Sequence, residues 1–337
     1  MQAVLIAGGL GTRLRPLTFS RPKALIPLVN RPLVLHVLER LPADVDEVLI
    51  AANYRTEQLR AFFAKVDAGR PVTIVREKRP LGTAGCLRNL ADRLSGTFLA
   101  FNADVVSSLA VPEIVAAHRR RGGVGTIALW EVEDPSAFGV VATDGDRITK
   151  FVEKPPRGGA PSNWINAGAY VLEPEILAAI PRDGPASLER DVFPKVLGKG
   201  LYGFRFSGYW SDVGTRENLI RATEILLRAH GGEVNRRAKV LPTAKITKPV
   251  AVAADATVDG DIGPVAVIGS GCVLAGARVS HSVLLDRARV GDGATVTGSV
   301  LGEDSVVGPR ALVRDSIVGD GAVVDPEMEL VDARVKA

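Results

Sequence analysis

Apolar residues in the first two thirds of the chain follow two alternating spacings. Short apolar runs of the kind found in buried strands occur at AVLIA (3–7), DEVLIAAN (46–53) and TFLAFNAD (97–104). The stretches between them include PLVLHVLERL (32–41) and TEQLRAFFAKV (56–66), whose apolar residues lie three or four positions apart, as on one face of a helix. Strands separated by helices predict an α/β fold with a Rossmann-like, mostly parallel sheet. Ligands bind such sheets at the carboxyl ends of the strands.

The end of the chain has a different period. Apolar residues recur at every sixth position, as at Val300, Val306, Leu312, Val318 and Val324. A longer repeat, close to three of these steps, aligns Ser282-Val283-Leu284 with Ser299-Val300-Leu301 and Ser316-Ile317-Val318. An amphipathic α-helix needs a period of about 3.6 residues, so the pattern excludes one. Three hexapeptide units form one triangular coil, and the sequence therefore predicts a left-handed parallel β-helix of hexapeptide repeats.

The two patterns belong to two domains. A chain of 337 residues suggests about two domains. Every Phe, Tyr and Trp lies at or before Trp210 and the chain beyond it has none, so the two parts are not expected to share one core. We expect a first domain over residues 1–230, a linker over 231–245 and the β-helix over 246–337.

Composition and charge exclude several classes of protein. Charged residues make up 24% of the chain and hydrophobic ones 46%, which is ordinary for a globular protein. The net charge of +4 is too balanced to indicate a nucleic-acid partner. The chain has neither an apolar run of about 18 residues nor a signal peptide, so we expect a cytoplasmic protein with no membrane partner. The two cysteines, Cys86 and Cys272, are expected to be reduced and buried.

The candidate chemistry lies directly after the first strand. Gly8, Gly9 and Gly11 form a glycine-rich turn, whose exposed backbone N–H groups can hold a phosphate. Arg13 and Lys23 follow, and two cations beside such a turn suit a polyphosphate. The spacing matches neither GxxxxGK[ST] nor GxGxxG.

This segment resembles the signature of the sugar-1-phosphate nucleotidyltransferases, GGxGTRLxPLT…PK, which here runs from Gly8 to Lys23. Further matches follow in order along the chain: PLGTAG (80–85), NADV (102–105), FGVV (138–141), FVEKP (151–155), NAG (166–168) and GYWSDVGT (208–215). With a C-terminal hexapeptide β-helix, the chain is most similar to the mannose-1-phosphate guanylyltransferases. In this family Gly usually precedes the first metal-binding Asp, whereas Ala103 stands there in this chain.

The resemblance implies a role for each matching residue. Arg13, Lys23, Asp104 and Asp212 would be catalytic, and the two aspartates would hold Mg²⁺, the one cofactor expected. The residues implied to bind the nucleotide are Ala7, Gly8, Gly9, Gly11, Thr12, Arg13, Glu77, Gly82 and Thr83. Those implied to bind the sugar phosphate are Gly139, Glu153, Lys154 and Asn166.

The expected reaction needs no general base. The second pKa of a sugar 1-phosphate is near ~6, so the phosphate is largely a dianion at neutral pH. It can attack the α-phosphorus of a nucleoside triphosphate directly, while the protein positions both anions and neutralises their charge. None of the four histidines falls in a motif, in agreement with this chemistry.

Glu77 favours guanine as the base. Guanine presents two adjacent donors, N1–H and the 2-amino group, and an ionised carboxylate accepts from both. In thymidylyl- and uridylyl-transferring relatives the matching position is typically Gln. The alternative interpretation is a surface Glu at a strand end, beside Arg76 and Lys78. The segment ASLERDVFPKVL (186–197) is similar to mannose-type and manno-heptose-type enzymes and favours mannose 1-phosphate, with glucose 1-phosphate left open.

Three alternatives to a GTP-dependent transferase remain. One is a thymidylyl- or uridylyltransferase acting on glucose 1-phosphate, and another is a catalytically silent relative that binds nucleotide sugars. The third, acyl transfer by the β-helix, is disfavoured because only His281 lies within the repeats. The β-helix is expected to serve oligomerisation, as a homodimer or tetramer.

Overall fold

The structure is a computed structural model that describes residues 1–337. The chain divides into two compact units. The sheet unit comprises Met1–Gly9 and Val34–Trp210, and the coil unit comprises Leu10–Leu33 and Ser211–Ala337. Residues 10–23 of the signature segment therefore group with the C-terminal part of the chain, whereas Gly8 and Gly9 belong to the sheet unit.

Residues 1–212 contain thirteen strands: β1 (Gln2–Ile6), β2 (Pro27–Leu28), β3 (Arg31–Pro32), β4 (Glu47–Ala52), β5 (Val72–Arg76), β6 (Phe98–Asn102), β7 (Val105–Ser107), β8 (Gly125–Glu131), β9 (Gly139–Asp144), β10 (Arg147–Glu153), β11 (Trp164–Leu172), β12 (Leu201–Arg205) and β13 (Trp210–Asp212). The α-helices of the chain are α1 (Leu33–Leu38), α2 (Thr56–Phe63), α3 (Gly82–Arg88), α4 (Val111–Arg121), α5 (Phe193–Val196) and α6 (Arg216–His230).

Nine of these strands form the central sheet of the sheet unit, in the order β5-β4-β1-β6-β11-β8-β12-β10-β9. Strands β5, β4, β1 and β6 are parallel, with Val4 opposite Leu49 and Ala100. Strand β11 pairs antiparallel with β6 and β8, and β10 pairs antiparallel with β9 and β12. The predicted α/β class is confirmed, with a parallel first half and a mixed second half.

Aliphatic and aromatic side chains fill the core of the sheet unit. Val4, Leu49 and Phe98 from the parallel strands pack with Leu87 of α3, all fully buried. Burying a side chain of this size contributes roughly 1.5–3 kcal/mol, so the parallel strands are held against α3. The strand ends that carry the candidate residues are fixed by this core.

The remaining strands belong to the coil unit: β14 (Lys239–Val240), β15 (Lys245–Ile246), β16 (Val250–Val252), β17 (Thr257–Ile262), β18 (Ala266–Ile268), β19 (Val273–Ser280), β20 (Ser282–Leu284), β21 (Arg289–Val290), β22 (Thr295–Thr297), β23 (Val300–Leu301), β24 (Val306–Val307), β25 (Leu312–Arg314), β26 (Ile317–Val318), β27 (Val323–Val324), β28 (Glu329–Val331) and β29 (Arg334–Val335). They pair in parallel, coil upon coil, as the predicted β-helix requires. The stretch predicted as a linker, residues 231–245, contains β14 and the start of β15, and both strands pair with β17.

The coil length differs along the β-helix. Val250 pairs with Ala266, whereas Val283 pairs with Val300, so the later coil is longer by a single position. The core positions follow steps of five or six, for example Leu301, Val307, Val313, Val318 and Val324. Between them lie small residues such as Ala311 and Ala322, which fit the narrow interior.

A ladder of buried serines pins one corner of successive coils. Each hydroxyl of Ser282, Ser299 and Ser316 donates to the carbonyl two residues before it, at 2.7–2.8 Å. Each also accepts an N–H from the next coil, at 2.9–3.1 Å. The longer repeat seen in the sequence is therefore the spacing of this ladder.

No helix of the protein combines the length and apolar character that a membrane span requires.

Candidate functional site

The glycine turn after β1 lies beside a buried carboxylate in the sheet unit. The Ala7 N–H donates to the carbonyl of Ala51 at 2.8 Å, and Gly8 follows with its Cα facing Glu77. A Cβ at Gly8 would lie 3.3 Å from one Glu77 oxygen, so glycine here lets the carboxylate approach the main chain. Around Gly9 the space is open, with no atom within 4 Å of a Cβ built there.

Glu77 itself is only 3% exposed, so its interpretation as a surface residue is wrong. It follows β5, and its Oε2 accepts the Leu81 N–H at 3.1 Å. Burial raises the pKa of this carboxyl, while the hydrogen bond from Leu81 and the side chain of Asn53 lower it. The result is a desolvated carboxylate whose Oε2 accepts the Leu81 N–H and which lies close to the Asn53 amide.

Helix α3 begins at Gly82, which has φ +75°. A Cβ there would clash with the carbonyl oxygen of Ala186, so the position requires glycine for two reasons. The same carbonyl accepts the N–H groups of Ala84 and Gly85 at 2.9 and 3.1 Å. The PLGTAG motif thus joins the start of α3 to the segment around Ala186.

Thr83, expected to bind nucleotide, contacts this same segment. Its hydroxyl donates to Oε2 of Glu189 at 2.7 Å and accepts the Leu188 N–H at 2.9 Å. Glu189 lies in a π-helical turn, Leu188–Val192, and also accepts from the Ser187 hydroxyl at 2.6 Å. The side chain of Thr83 therefore serves to position Glu189.

Among the residues expected to bind the sugar phosphate, Asn166 is linked to Glu189, and Gly139 lies beside Glu153. Asn166 donates to the Tyr170 hydroxyl at 2.8 Å, and that hydroxyl lies 3.4 Å from Oε1 of Glu189. Gly139 lies opposite Glu153 across β9 and β10, and a Cβ at Gly139 would come within 2.8 Å of Glu153 Oε2. Side-chain contacts thus link Asn166, Tyr170 and Glu189, and glycine leaves room for Glu153.

Two carboxylates shape the electrostatics of this region. The pKa of Glu153 is raised by burial and then by repulsion from Glu189, and Lys154 and Arg190 lower it. The Lys154 ammonium lies 4.0 Å from Glu153 Oε1 and its side chain is 59% exposed. Glu189 and Tyr170 are functional candidates that sequence reasoning missed, although the segment carrying Glu189 resembles mannose-type enzymes.

Asp104 lies in the turn between β6 and β7 and is half-buried. The Ala103 N–H donates to the carbonyl of Ile6 at 3.1 Å, and Ala103 does not have a left-handed backbone, so its methyl group causes no strain. Nearby, Oδ1 of Asn102 is buried and has no hydrogen-bond partner. This turn therefore offers hard oxygen atoms of the kind that Mg²⁺ takes as ligands.

In the coil unit, Arg13 and Asp212 meet at Gly214. A Cβ at Gly214 would lie 2.7 Å from Arg13 Nη2 and 2.8 Å from Asp212 Oδ2. Glycine thus preserves the space in front of both charged groups. Asn218 of α6 donates to Asp212 Oδ1 at 2.6 Å and so orients the carboxylate. Oδ2 of Asp212 faces the space that a side chain at 214 would fill, which suits a ligand of a cation.

The rest of the signature turn is built around Gly11, whose φ is +61°. The Thr18 hydroxyl donates to the carbonyl of Gly11 at 2.9 Å, and a Cβ at Gly11 would meet Thr18 and the Cβ of Lys23. Thr12 opens a short 3-10 helix, Thr12–Leu14, and is exposed. Gly11 and Lys23 are therefore neighbours, as expected of one phosphate-binding segment.

The chain contains no group of three or more His, Cys, Asp or Glu side chains arranged to hold a metal ion. Mg²⁺ commonly uses one or two carboxylates, with phosphate oxygens and water completing its octahedron.

His118 is buried between Thr126 and Glu173, at 2.9 and 3.0 Å, and serves the packing of α4. Both cysteines are free and buried, and burial raises the pKa of Cys272 to about 12.

A glycine-rich turn with basic residues, an α/β sheet and a parallel β-helix together define a nucleotide-binding protein of two-part architecture. Residues 2–229 match the family described as nucleotidyl transferase, and residues 233–336 match the family described as GMPPB C-terminal domain. The chain therefore belongs to the nucleotidyl transferase family, and it is an enzyme of that class.

Similar proteins support the same assignment. A mannose-1-phosphate guanylyltransferase of Mycobacterium tuberculosis is 37% identical over 85% of this chain and 83% of its own. Mannose-1-phosphate guanylyltransferase 1 of Arabidopsis thaliana is 36% identical over 86% of this chain and 82% of its own. Among solved structures, HddC of Yersinia pseudotuberculosis complexed with GMP-PN is 25% identical over 66% of this chain and 98% of its own, with a TM-score of 0.57.

Proposed function

We propose that this protein transfers a guanylyl group from GTP to mannose 1-phosphate, giving GDP-mannose and pyrophosphate. The observation that carries the proposal is identity of 36% to 38% with proteins named for this activity, over as much as 86% of the chain. The buried Glu77 beside Gly8 supports guanine independently of that similarity.

The reaction is one displacement at phosphorus. An oxygen of the sugar phosphate forms a bond to the α-phosphorus of GTP while the bond from that phosphorus to the β-phosphate's bridging oxygen breaks. Pyrophosphate carries away the electron pair, and no proton has to move because the attacking phosphate is already a dianion. Arg13 and Lys23 would bind the phosphates and neutralise the charge that develops on them.

Mg²⁺ is the cofactor that we propose for this reaction. Asp104 and Asp212 are proposed as its ligands, since each offers a carboxylate in a half-buried position. When bound, the ion would reduce the repulsion between the triphosphate and the sugar phosphate. Asn218 would hold Asp212 in the orientation for binding.

Glu77 would select the base. Its Oε1 can accept a donor from guanine, while its Oε2 stays with the Leu81 N–H and accepts a second donor on its remaining lone pair. Uracil, thymine and adenine would each place an acceptor against the carboxylate. Leaving that acceptor without a donor costs about 1–3 kcal/mol.

The sugar phosphate would bind next to Asn166, Glu153 and Lys154. Lys154 supplies a positive charge for the phosphate, and Glu153 accepts from a sugar hydroxyl. The hydrogen bonds from Asn166 to Tyr170 and onward to Glu189 restrict the side chains of Asn166 and Glu189. Gly139 keeps the space above Glu153 clear.

A pyrophosphate-release panel tests the proposal. GTP, ATP, UTP and dTTP are crossed with mannose 1-phosphate and glucose 1-phosphate, with and without Mg²⁺. We expect the highest kcat/KM for GTP with mannose 1-phosphate, dependent on Mg²⁺. Highest activity with UTP or dTTP and glucose 1-phosphate would establish the alternative specificity, and no release with any pair would indicate a silent nucleotide-sugar-binding protein.

Arg13→Ala tests whether the Arg13 side chain contributes to catalysis. Its side chain is exposed, so we expect an unchanged fold and a turnover lower by about 100-fold or more. Arg119→Ala, which removes an exposed arginine of α4, should have no effect on turnover.

We further propose a homodimer or tetramer, assembled through the β-helix, in the cytoplasm. Val323 and Val331 are 61% and 50% exposed on the last coils, and a partner copy would cover them. Sedimentation velocity would give the oligomeric state.

The two free, buried thiols fit a reducing compartment such as the cytoplasm.

A further inference from the structure

The last coil of the β-helix contacts the signature turn directly. Arg334 of β29 donates from Nη1 to the carbonyl of Arg13 at 2.8 Å and to the carbonyl of Arg15 at 3.2 Å. These carbonyls lie on either side of Leu14, at the end of the short 3-10 helix Thr12–Leu14. One guanidinium thus fixes the backbone at the residue whose side chain lies beside Asp212.

A second contact holds the far end of the same segment. The Arg21 guanidinium pairs with Glu303 and with Asp320, each at 2.6 Å, and its side chain is only 13% exposed. Asp320 also accepts a hydrogen bond from the Ser20 hydroxyl. The two carboxylates occupy equivalent positions of successive coils, so the β-helix repeat sets the distance between the two partners of Arg21.

The packing between these two contacts is close. A Cβ at Gly319 would lie 2.9 Å from the ring of Pro16, so only glycine lets the coil approach the turn there. Lys336 lies over the Phe19 ring at 5.1 Å, and Arg15 also lies 5.1 Å from that ring. The segment 13–21 is therefore held by the β-helix along its length.

We propose that the end of the β-helix positions the phosphate-binding turn, and that Arg334 is a positioning residue for Arg13. A single 3-10 turn has few internal hydrogen bonds, here Leu14 N–H to Gly11 and Arg15 N–H to Thr12 at 3.0 and 3.3 Å. External contacts must therefore fix the direction of the Arg13 side chain. The kinetic part of this inference rests on the proposed function, while the structural part does not.

Arg334 allows this role to be separated from general stability. The Arg334 side chain is exposed, and an exposed arginine contributes little to folding, whereas the Arg21 side chain is only 13% exposed and has two partners. Arg310 is a matched control, because it is an exposed arginine of the β-helix that pairs with Glu327 and contacts no part of the turn.

The experiment compares the full-length protein with Arg334→Ala, Arg334→Lys and Arg310→Ala. Hydrogen–deuterium exchange of peptides covering residues 10–25 is measured with and without GTP and Mg²⁺. We expect Arg334→Ala to speed exchange of the Leu14 and Arg15 amides by about tenfold, Arg334→Lys to restore part of the protection, and Arg310→Ala to match the unchanged protein. Equal exchange in Arg334→Ala and the unchanged protein would overturn the proposal.

Kinetics form the second arm. We expect Arg334→Ala to lower kcat by about tenfold with the KM for GTP changed less than twofold, because a misdirected Arg13 weakens transition-state binding most. Faster exchange with an unchanged kcat would also overturn the positioning role. If the unchanged protein shows no transfer from GTP, the proposed function fails, and the exchange of the free protein still decides whether Arg334 holds the turn.

Discussion

A carboxylate at 3% exposure loses most of its hydration, and Glu77 recovers part of it through the Leu81 N–H. The cost that remains appears as the raised pKa of this side chain. Such a group lowers the free energy of unfolding of the free protein at neutral pH, so stability does not explain its burial. A ligand with two N–H donors would offset that cost on binding.

Glu77→Gln therefore tests the base preference. The amide keeps the size of the side chain but turns half of it into a donor, so it can no longer accept from both guanine donors. We expect the ratio of kcat/KM for GTP over UTP to fall about tenfold or more. The free energy of unfolding should not decrease, since the neutral amide removes a buried charge. Glu57→Gln on the exposed face of α2 is the control, and an unmoved ratio would contradict the assignment.

The raised pKa of Glu77 also predicts a pH dependence. As the pH falls through this pKa, the carboxyl gains a proton and becomes a donor, so it loses acceptor capacity toward guanine. The GTP-over-UTP ratio should therefore decrease toward acid pH and be constant at higher pH. In Glu77→Gln the ratio should not vary with pH. A ratio that rises on acidification would have the wrong sign.

At this scale the sequence predicts residues that lie in linear motifs and misses those assembled by the fold. Gly82 and Asn166 are found by their local patterns. Glu189 acquires its place from Thr83, which is distant in the chain, and from Tyr170 across the sheet unit. The burial of Glu77 was equally hidden, because its chain neighbours Arg76 and Lys78 are exposed.

The elements differ in how far their sequence predicts them. A β-helix pairs each coil with the next, so its contacts are short-range in sequence and its period appears directly. Even so, a strict period of six predicts that Val306 and Leu312 face the core, whereas Val307 and Val313 are the core residues. A step of five in each coil shifts the phase by one. In the sheet unit, the antiparallel insertion of β11 between β6 and β8 depends on distant partners and has no local signal.

Ser299→Ala tests the serine ladder that fixes the coil spacing. The substitution removes the acceptor for the Ser316 N–H, which is buried, and the donor to Thr297. An unsatisfied buried N–H costs about 1–3 kcal/mol, so the free energy of unfolding should fall by that amount. Differential scanning calorimetry measures it. Ser280→Ala, whose half-buried hydroxyl contacts Thr297, is the control and should change stability by less than about 0.5 kcal/mol.

Two hydrophobic clusters of the molecule share no side chains, one in the sheet unit and one in the β-helix. The grouping of Leu10–Leu33 with the coil unit complicates this division. That segment carries Arg13 and Lys23, so removal of the β-helix should affect the signature turn more than the sheet. Folding and catalysis should therefore respond differently to truncation.

A chain ending at residue 232 makes this distinction measurable. All aromatic residues lie at or before Trp210, so near-ultraviolet circular dichroism reports on the part that remains. We expect the dichroism and a cooperative unfolding transition to persist, because the buried Phe98, Tyr170 and Phe193 belong to the sheet unit's own core. Turnover should fall by about tenfold or more, since Arg21 loses both carboxylates and Arg13 loses Arg334. Loss of the near-ultraviolet signal would show that the two cores do not fold independently, and full turnover would show that the signature turn needs no support from the coils.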